Sequence, residues 1–169
     1  MQSRRKRVEW LIDCRLRGEG TIIVRHQLLE SPATGRGFCM KYCTAVNCMD
    51  GRVQRPVLDY LTERYGVPYV DTITEPGPNG ILSRRNDKAL VASILRRINV
   101  SVHKHHTVGI AVVGHYDCAG NPGDEAHQNA DTRGAVRFLR TQYPDTPVIG
   151  LWVDETWSVL EIDVTNEQS

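Results

Sequence analysis

The sequence predicts an α/β domain: a mostly parallel β-sheet with helices on both faces and an antiparallel C-terminal strand. Three observations predict it. Apolar runs of strand length alternate with segments of helical periodicity, in the order strand, helix, strand, helix, strand, helix, strand, strand. Thr107 to Gly114 (TVGIAVVG) is almost wholly apolar or small, as in a strand covered on both faces. Asp154-Glu155-Thr156 reads as a tight turn, so the last strand runs back along its neighbour.

The elements follow in order. Val8, Leu11, Ile12 and Leu16 fall at helical spacing, so residues 4–17 are expected to form a short amphipathic helix. Gly18 and Gly20 end it, Thr21 to Val24 add a strand, and Ser31 to Gly37 reads as a linker. Tyr42 to Asn47 is the first core strand and ends in the loop Cys48-Met49-Asp50-Gly51-Arg52. Pro56 suits the first turn of a helix with Val57, Leu58, Leu61 and Tyr65 as its apolar face, closed by Gly66. Pro68 to Thr74 is the second strand, followed by the turn-rich Glu75-Pro76-Gly77-Pro78-Asn79-Gly80. Asn86 or Asp87 caps a long helix whose buried stripe is Val91, Leu95, Ile98 and Val102, with Leu90 and Ile94 beside it. The third strand runs into His115-Tyr116-Asp117-Cys118-Ala119-Gly120, and a helix over 123–143 turns Ala126, Ala130, Val136 and Leu139 inward. Val148 to Val153 is a buried strand. Trp157 to Val164 is the last, with Trp157, Val159 and Glu161 alternating against Ser158, Leu160 and Ile162.

The chain of 169 residues suits one domain, residues 40–169, preceded by a basic N-terminal extension, residues 1–39. That extension carries eight basic against four acidic groups, whereas the other 130 residues carry 13 against 16. A net charge of +1 argues against a nucleic-acid partner, which needs a clear basic excess, so the arm reads as a solvated or packing element. Met40, just before the first core strand, is a second candidate for the start of translation. No apolar run reaches membrane-spanning length and none of signal-peptide length follows the basic start, so the expected location is cytoplasmic. Five cysteines, an odd number in a chain with no export signal, argue for metal binding or catalysis over a disulfide framework. Cys14, Cys39 and Cys43 read as small buried hydrophobes.

Ligands of such sheets bind at the carboxyl ends of the strands, which directs attention to Cys48–Arg52, Glu75–Gly80 and His115–Gly120. Two of these loops hold soft-metal ligands: Cys48 ends one strand, and His115 and Cys118 end another. Thiolates with imidazole favour zinc, and three protein ligands leave the fourth position open, as catalytic zinc sites do. Asp50 can occupy that position or accept a hydrogen bond from water there. Arg52 can grip Asp50 with two parallel hydrogen bonds and keep it ionised. The plainer alternative is a loop in which Asp50 and Arg52 only satisfy each other.

Cys48-Met49-Asp50-Gly51-Arg52 followed by His115-Tyr116-Asp117-Cys118 resembles the β-class carbonic anhydrase signature, C-x-D-x-R and H-x-x-C, over roughly residues 41–164. The resemblance implies one zinc ion per subunit on Cys48, His115 and Cys118, with Asp50 and Arg52 as the catalytic dyad. It implies reversible hydration of carbon dioxide to bicarbonate by zinc-bound hydroxide, in a homodimer or higher homo-oligomer, with residues 4–17 laid over the partner subunit. The chain is short for the class, like small microbial members, and departs from its pattern twice. Thr74-Glu75-Pro76-Gly77-Pro78-Asn79-Gly80 stands where the family has an Arg-Asn-Ala-Gly type stretch, and Ala119-Gly120-Asn121-Pro122 where it has Gly-Gly or Gly-Ala. Both lie beside the expected substrate pocket, so hydrolysis of carbonyl sulfide or carbon disulfide, or a catalytically silent zinc-binding homologue, stand as alternatives.

Other groups are weaker candidates. His103, His105 and His106 cluster near a helix end, as a proton shuttle or as solvated residues favoured by the helix dipole. His127 reads as exposed, and Glu75 either touches the pocket or caps the turn. A structural zinc on Cys39, Cys43 and Cys48 conflicts with Cys43 lying inside a strand. A phosphatase loop needs C-x5-R, but Gln54 follows Cys48 at that spacing and Glu125 stands near it after Cys118. No glycine-rich nucleotide motif is present.

Overall fold

In the computed structural model, residues 41–164 are described, together with the backbone of residues 16–17 and 21–22. The chain divides into two units, Met1–Phe38 and Cys39–Ser169. In the first unit β1 (Leu16–Arg17) pairs antiparallel with β2 (Thr21–Ile22). The expected helix over 4–17 is therefore corrected at its end: Leu16 and Arg17 are in a strand, where cross-strand pairing outweighs a helical pattern too short to be stable alone. Its remainder, with the linker, Cys14 and Cys39, lies outside the described residues.

The second unit is built on β3 (Tyr42–Cys48), α1 (Gly51–Tyr65), β4 (Tyr69–Glu75), α2 (Pro78–Arg84), α3 (Lys88–Lys104), β5 (Ile110–His115), α4 (Glu125–Gln142), β6 (Val148–Val153) and β7 (Val159–Ile162). The sheet order is β4-β3-β5-β6-β7. All neighbours are parallel except β6 and β7, which are antiparallel, as the sequence predicts.

Side-chain alternation divides the core in two. Val46, Ile110, Val112 and Val148 point to the face covered by α2, α3 and α4, with Leu82, Ile94, Ile98 and Leu139 against them. Ala45, Ala111, Val113 and Leu151 point to the other face, covered by Val53, Val57 and Leu61 of α1. Every residue of β5 is buried, so its unbroken apolar run reflects cover on both sides.

Local structure departs from expectation in five places. Helix α1 begins at Gly51, with Asp50 as its N-cap, so Pro56 lies inside the helix rather than in its first turn. The cap accounts for the early start, and Pro56 forfeits one backbone bond. Leu58 is exposed where the periodicity placed it inward. Pro78–Gly80, expected as part of a turn, instead begins the helix α2, with proline in its first turn. In α3, capped by Asp87, the buried line is Val91, Ile94, Ile98 and Ser101, while Leu95 and Val102 pack at its margin.

In α4 the inward face is Gln128, Asp131, Thr132, Ala135, Val136 and Leu139, and Ala126 and Ala130 are exposed. The first half of this helix covers polar groups, so hydrophobic periodicity points its face the wrong way. Trp157 is outside β7: it stands in the preceding turn with φ 64°, and Leu160 is 53% exposed.

Leu61 and Ile98 are fully buried on opposite faces of the sheet. Leu61→Ala and Ile98→Ala are each expected to cost about 2–5 kcal/mol in urea unfolding. The double variant should equal their sum to within about 0.5 kcal/mol, because the sheet separates the two sites.

Candidate metal centre

The strand polarity assembles the site. Parallel pairing of β3 with β5, in register at Val46 and Val112, brings the carboxyl ends of both strands together. Cys48 closes β3, His115 closes β5, and Cys118 lies in the loop beyond; all three are buried. Their ligand atoms lie within 4.8 Å of one another, and the two Sγ atoms are 3.9 Å apart. Tetrahedral zinc with Zn–S near 2.3 Å requires a sulfur separation of about 3.8 Å, so the spacing fits. Among the described residues no other cluster of possible metal ligands occurs.

His115 is oriented by its neighbour. Its Nδ1 bonds the Tyr116 carbonyl at 2.7 Å, which makes Nδ1 the protonated nitrogen and leaves Nε2 the acceptor. Nε2 is buried with no hydrogen-bond partner among the described residues. A buried imidazole nitrogen without a partner, beside two sulfurs, is what a soft cation would satisfy.

A hydrogen bond joins the two thiols. The hydrogen bond from Cys118 draws the Cys48 thiol down to about 4 against the opposing effect of burial, helped by His115 and by the backbone N–H groups of Gly77 and Asp50. The same bond, with burial, pushes Cys118 up, opposed by the N–H groups of Asn121 and Gly120. A bound cation removes this competition, since a coordinating thiol loses its proton outright.

Two glycines make this cradle. Gly77 has φ 58°, and a Cβ there would lie 2.6 Å from Asn121 Cβ. A Cβ on Gly120 would run into the backbone of Pro76 and Gly77. The turn after β4 therefore presses directly on the loop after β5. A polar network ties the same loop to α2 and α4. Arg84 donates to Asp131 Oδ2 at 2.6 Å and to Asn121 Oδ1 at 3.0 Å, and Asn121 Nδ2 donates to Asp131 Oδ2 at 3.0 Å. Asn79 Nδ2 donates to Gln128 Oε1 at 2.9 Å, and Gln128 Nε2 donates to the Asn121 carbonyl.

Asp50 has two duties. Its Oδ1 accepts the Arg52 backbone N–H at 2.9 Å, capping α1. The Arg52 side chain donates through Nε to both carboxylate oxygens at 3.1 Å and through Nη2 to Oδ2 at 2.7 Å. The hydrogen bonds from Arg52 hold the Asp50 carboxyl down at about 2, so it is ionised through the neutral range. The stabilisation from this pairing is complete above about pH 4 and fades as pH falls towards 2. Arg52 also donates through Nη1 to Asp117 Oδ2 at 3.0 Å. Sequence reasoning treated Asp117 as a spacer within H-x-x-C; an acid inside that motif was the available signal.

The weaker candidates fall elsewhere. His105 stacks on Tyr42, with centroids 4.5 Å apart, and bonds Asp71 Oδ2 at 2.7 Å. Tyr42 starts β3, so this cluster is at the opposite end of the sheet from Cys48. His103, His106 and His127 are exposed. Glu75 pairs with Arg97 of α3, and its carbonyl accepts the Met49 N–H at 3.0 Å, so it holds the turn. Cys43 is fully buried, and burial first, with Asp71, pushes its thiol up to about 11.

Comparison with known proteins bears on the family and the fold. Residues 39–163 match the family model described as "Putative carbonic anhydrase". No curated protein matches the chain in sequence. Among solved structures, the chain is similar to the β-carbonic anhydrase CafA of the fungal pathogen Aspergillus fumigatus. The TM-score is 0.53 at 14% identity, over 75% of this chain and 77% of that one. It is likewise similar to structures of two tetrameric β-carbonic anhydrases from Sordaria macrospora, with TM-score 0.52 and 14% identity, over 73% of this chain and 81% of that one. At these identities the likeness concerns the fold. The family match spans most of the chain, so the chain belongs to the family described as "Putative carbonic anhydrase", and its fold is that of the β-carbonic anhydrases.

Proposed function

We propose that this protein is a zinc enzyme interconverting carbon dioxide and bicarbonate, with Cys48, His115 and Cys118 as ligands and Asp50 and Arg52 as the catalytic pair. The observation that carries the reading is the buried convergence of two sulfurs with an imidazole whose Nε2 has no partner. Family membership supports the same chemistry.

Zinc at this position would supply Lewis acidity and make water acidic enough to yield hydroxide near neutral pH. The chain's own residues account for the rest. His115 offers Nε2 because Tyr116 fixes its tautomer. Hydrogen bonds from backbone N–H groups to both sulfurs draw off some thiolate charge and so offset the weakening of metal acidity that two thiolates bring. Asp50, held ionised by Arg52, accepts the proton of the attacking water in a hydrogen bond and orients its lone pair towards the carbon of carbon dioxide. Arg52 holds both oxygens of that carboxylate by hydrogen bonds from Nε and Nη2.

Hydrolysis of carbonyl sulfide or carbon disulfide is the second reading. The two loops that depart from the family pattern favour it, because they pack on each other next to the cluster and so shape its surroundings. We further propose a cytoplasmic homo-oligomer, with residues 1–39 packing on a partner subunit; the Sordaria macrospora relatives are tetramers. No helix among the described residues is long and apolar enough to cross a membrane.

Metal analysis of the purified protein is expected to give about one zinc per chain, lost in Cys48→Ser and Cys118→Ser because thiolates dominate the affinity. Metal-free wild-type protein would sink the reading. Asp50→Ala should keep its zinc yet lose roughly 10²–10⁴-fold in stopped-flow carbon dioxide hydration. Unchanged hydration in that variant would remove the pair from the mechanism, and turnover of carbonyl sulfide alone would favour the second reading.

A further inference from the structure

Arg52 is held from three sides, and its motif partner Asp50 is only one of them. Nη1 donates to Asp117 Oδ2 at 3.0 Å and Nη2 to the Asp117 carbonyl at 3.1 Å. The guanidinium carbon lies 4.9 Å from the centre of the Trp157 ring. Both added partners stand in the left-handed backbone region, Asp117 at φ 53° and Trp157 at φ 64°. Aspartate tolerates that region, but an aromatic residue rarely enters it, so the surroundings must hold Trp157 there.

The turn between β6 and β7 does so. Asp154 Oδ1 accepts from Thr156 N at 2.8 Å, Thr156 Oγ1 at 2.7 Å and Ser158 N at 3.0 Å. Asp154 N donates to the Ser158 carbonyl, and Trp157 N to the Asp154 carbonyl, each at 3.0 Å. The loop of Asp117 is tied to the same strand end, where Tyr116 N donates to the Val153 carbonyl at 2.9 Å. Loops after three adjacent strands, β3, β5 and β6, thus converge on one guanidinium.

The arrangement meets a physical need. The Arg52 side chain is 44% exposed, and an ion pair so open to water holds its geometry poorly. A second carboxylate fixes the plane of the guanidinium, and an indole face fixes its tilt.

We propose that Trp157 and Asp117 are positioning residues that lock Arg52 onto Asp50. Only the consequence for turnover rests on the function proposed above; the lock itself is a property of this chain. Asp50 is an acceptor whose two oxygens already receive Arg52, so its remaining lone pairs point in a fixed direction only while Arg52 is still.

The test follows the Arg52 Nε–H by ¹⁵N NMR in wild type, Trp157→Leu, Trp157→Phe and Asp117→Asn. Asp117 is 68% exposed, so its variant carries little folding risk. Hydrogen exchange at Nε–H should accelerate about tenfold or more in the Leu and Asn variants and stay near wild type in the Phe variant, which keeps an aromatic face. In stopped-flow assays the same two variants should lower kcat about tenfold at unchanged KM and zinc content. Unaltered Nε–H exchange in both Trp157→Leu and Asp117→Asn overturns the proposal, as does a Phe variant as loose as the Leu variant. Loosening of Arg52 in a wild-type background that does not hydrate carbon dioxide would support the lock and strike the function alone.

Discussion

The site depends on parallel pairing between β3 and β5. These strands are far apart in sequence but adjacent in the sheet, and being parallel they end at the same edge. Cys48 and His115 meet because they lie two and three residues, respectively, beyond the Val46–Val112 pair. A shift of register by one residue would exchange the faces of every side chain on one strand and separate the two ligands. The apolar burial of β5 on both faces, with α1 on one side and α2, α3 and α4 on the other, is what prevents such a shift. The chemistry at the edge and the packing in the middle of the sheet are therefore one problem in register.

Much of this was legible in the sequence, and the reasons are specific. The TVGIAVVG run identifies a doubly covered strand without reference to any partner, and C-x-D-x-R with H-x-x-C sits where an α/β sheet collects its ligands. A cap at Asn86 or Asp87 was legible because polar residues precede a clean helical period, and Asp87 is the one that accepts the Leu90 N–H, at 2.9 Å. The failures share a cause: polar groups buried by tertiary contacts carry no periodic signal. Gln128 and Thr132 are fully buried only because Asn79 and the loop of Asn121 meet them, so no pattern within α4 marks that face. The two stretches that break the family pattern meet each other through Asn79 and Asn121 at 3.4 Å, a pairing that one stretch alone does not reveal. Trp157 looked like a strand residue because its hydrophobic alternation is correct; the turn chemistry of Asp154 decides its backbone instead.

Burying so much polarity near the cluster is costly unless every group is paired. Arg84, Asn121 and Asp131 satisfy one another. The loop that bears Cys118 is thus fixed by hydrogen bonds to α2 and α4. Preorganisation of this kind favours a stiff coordination geometry over one assembled by the ligand itself.

Asp50 joins two events that are separate in most proteins. Its Oδ1 anchors the backbone N–H of Arg52, the second residue of α1, while the same carboxylate faces the Arg52 side chain. Turning that carboxylate away from Arg52 releases the helix end as well, and loss of an N-cap weakens a helix by about 0.5–2 kcal/mol. Fraying at the start of α1 and reorientation of the acid are consequently a single degree of freedom. The side chain most exposed to chemical demand is restrained by the folding stability of the helix it begins.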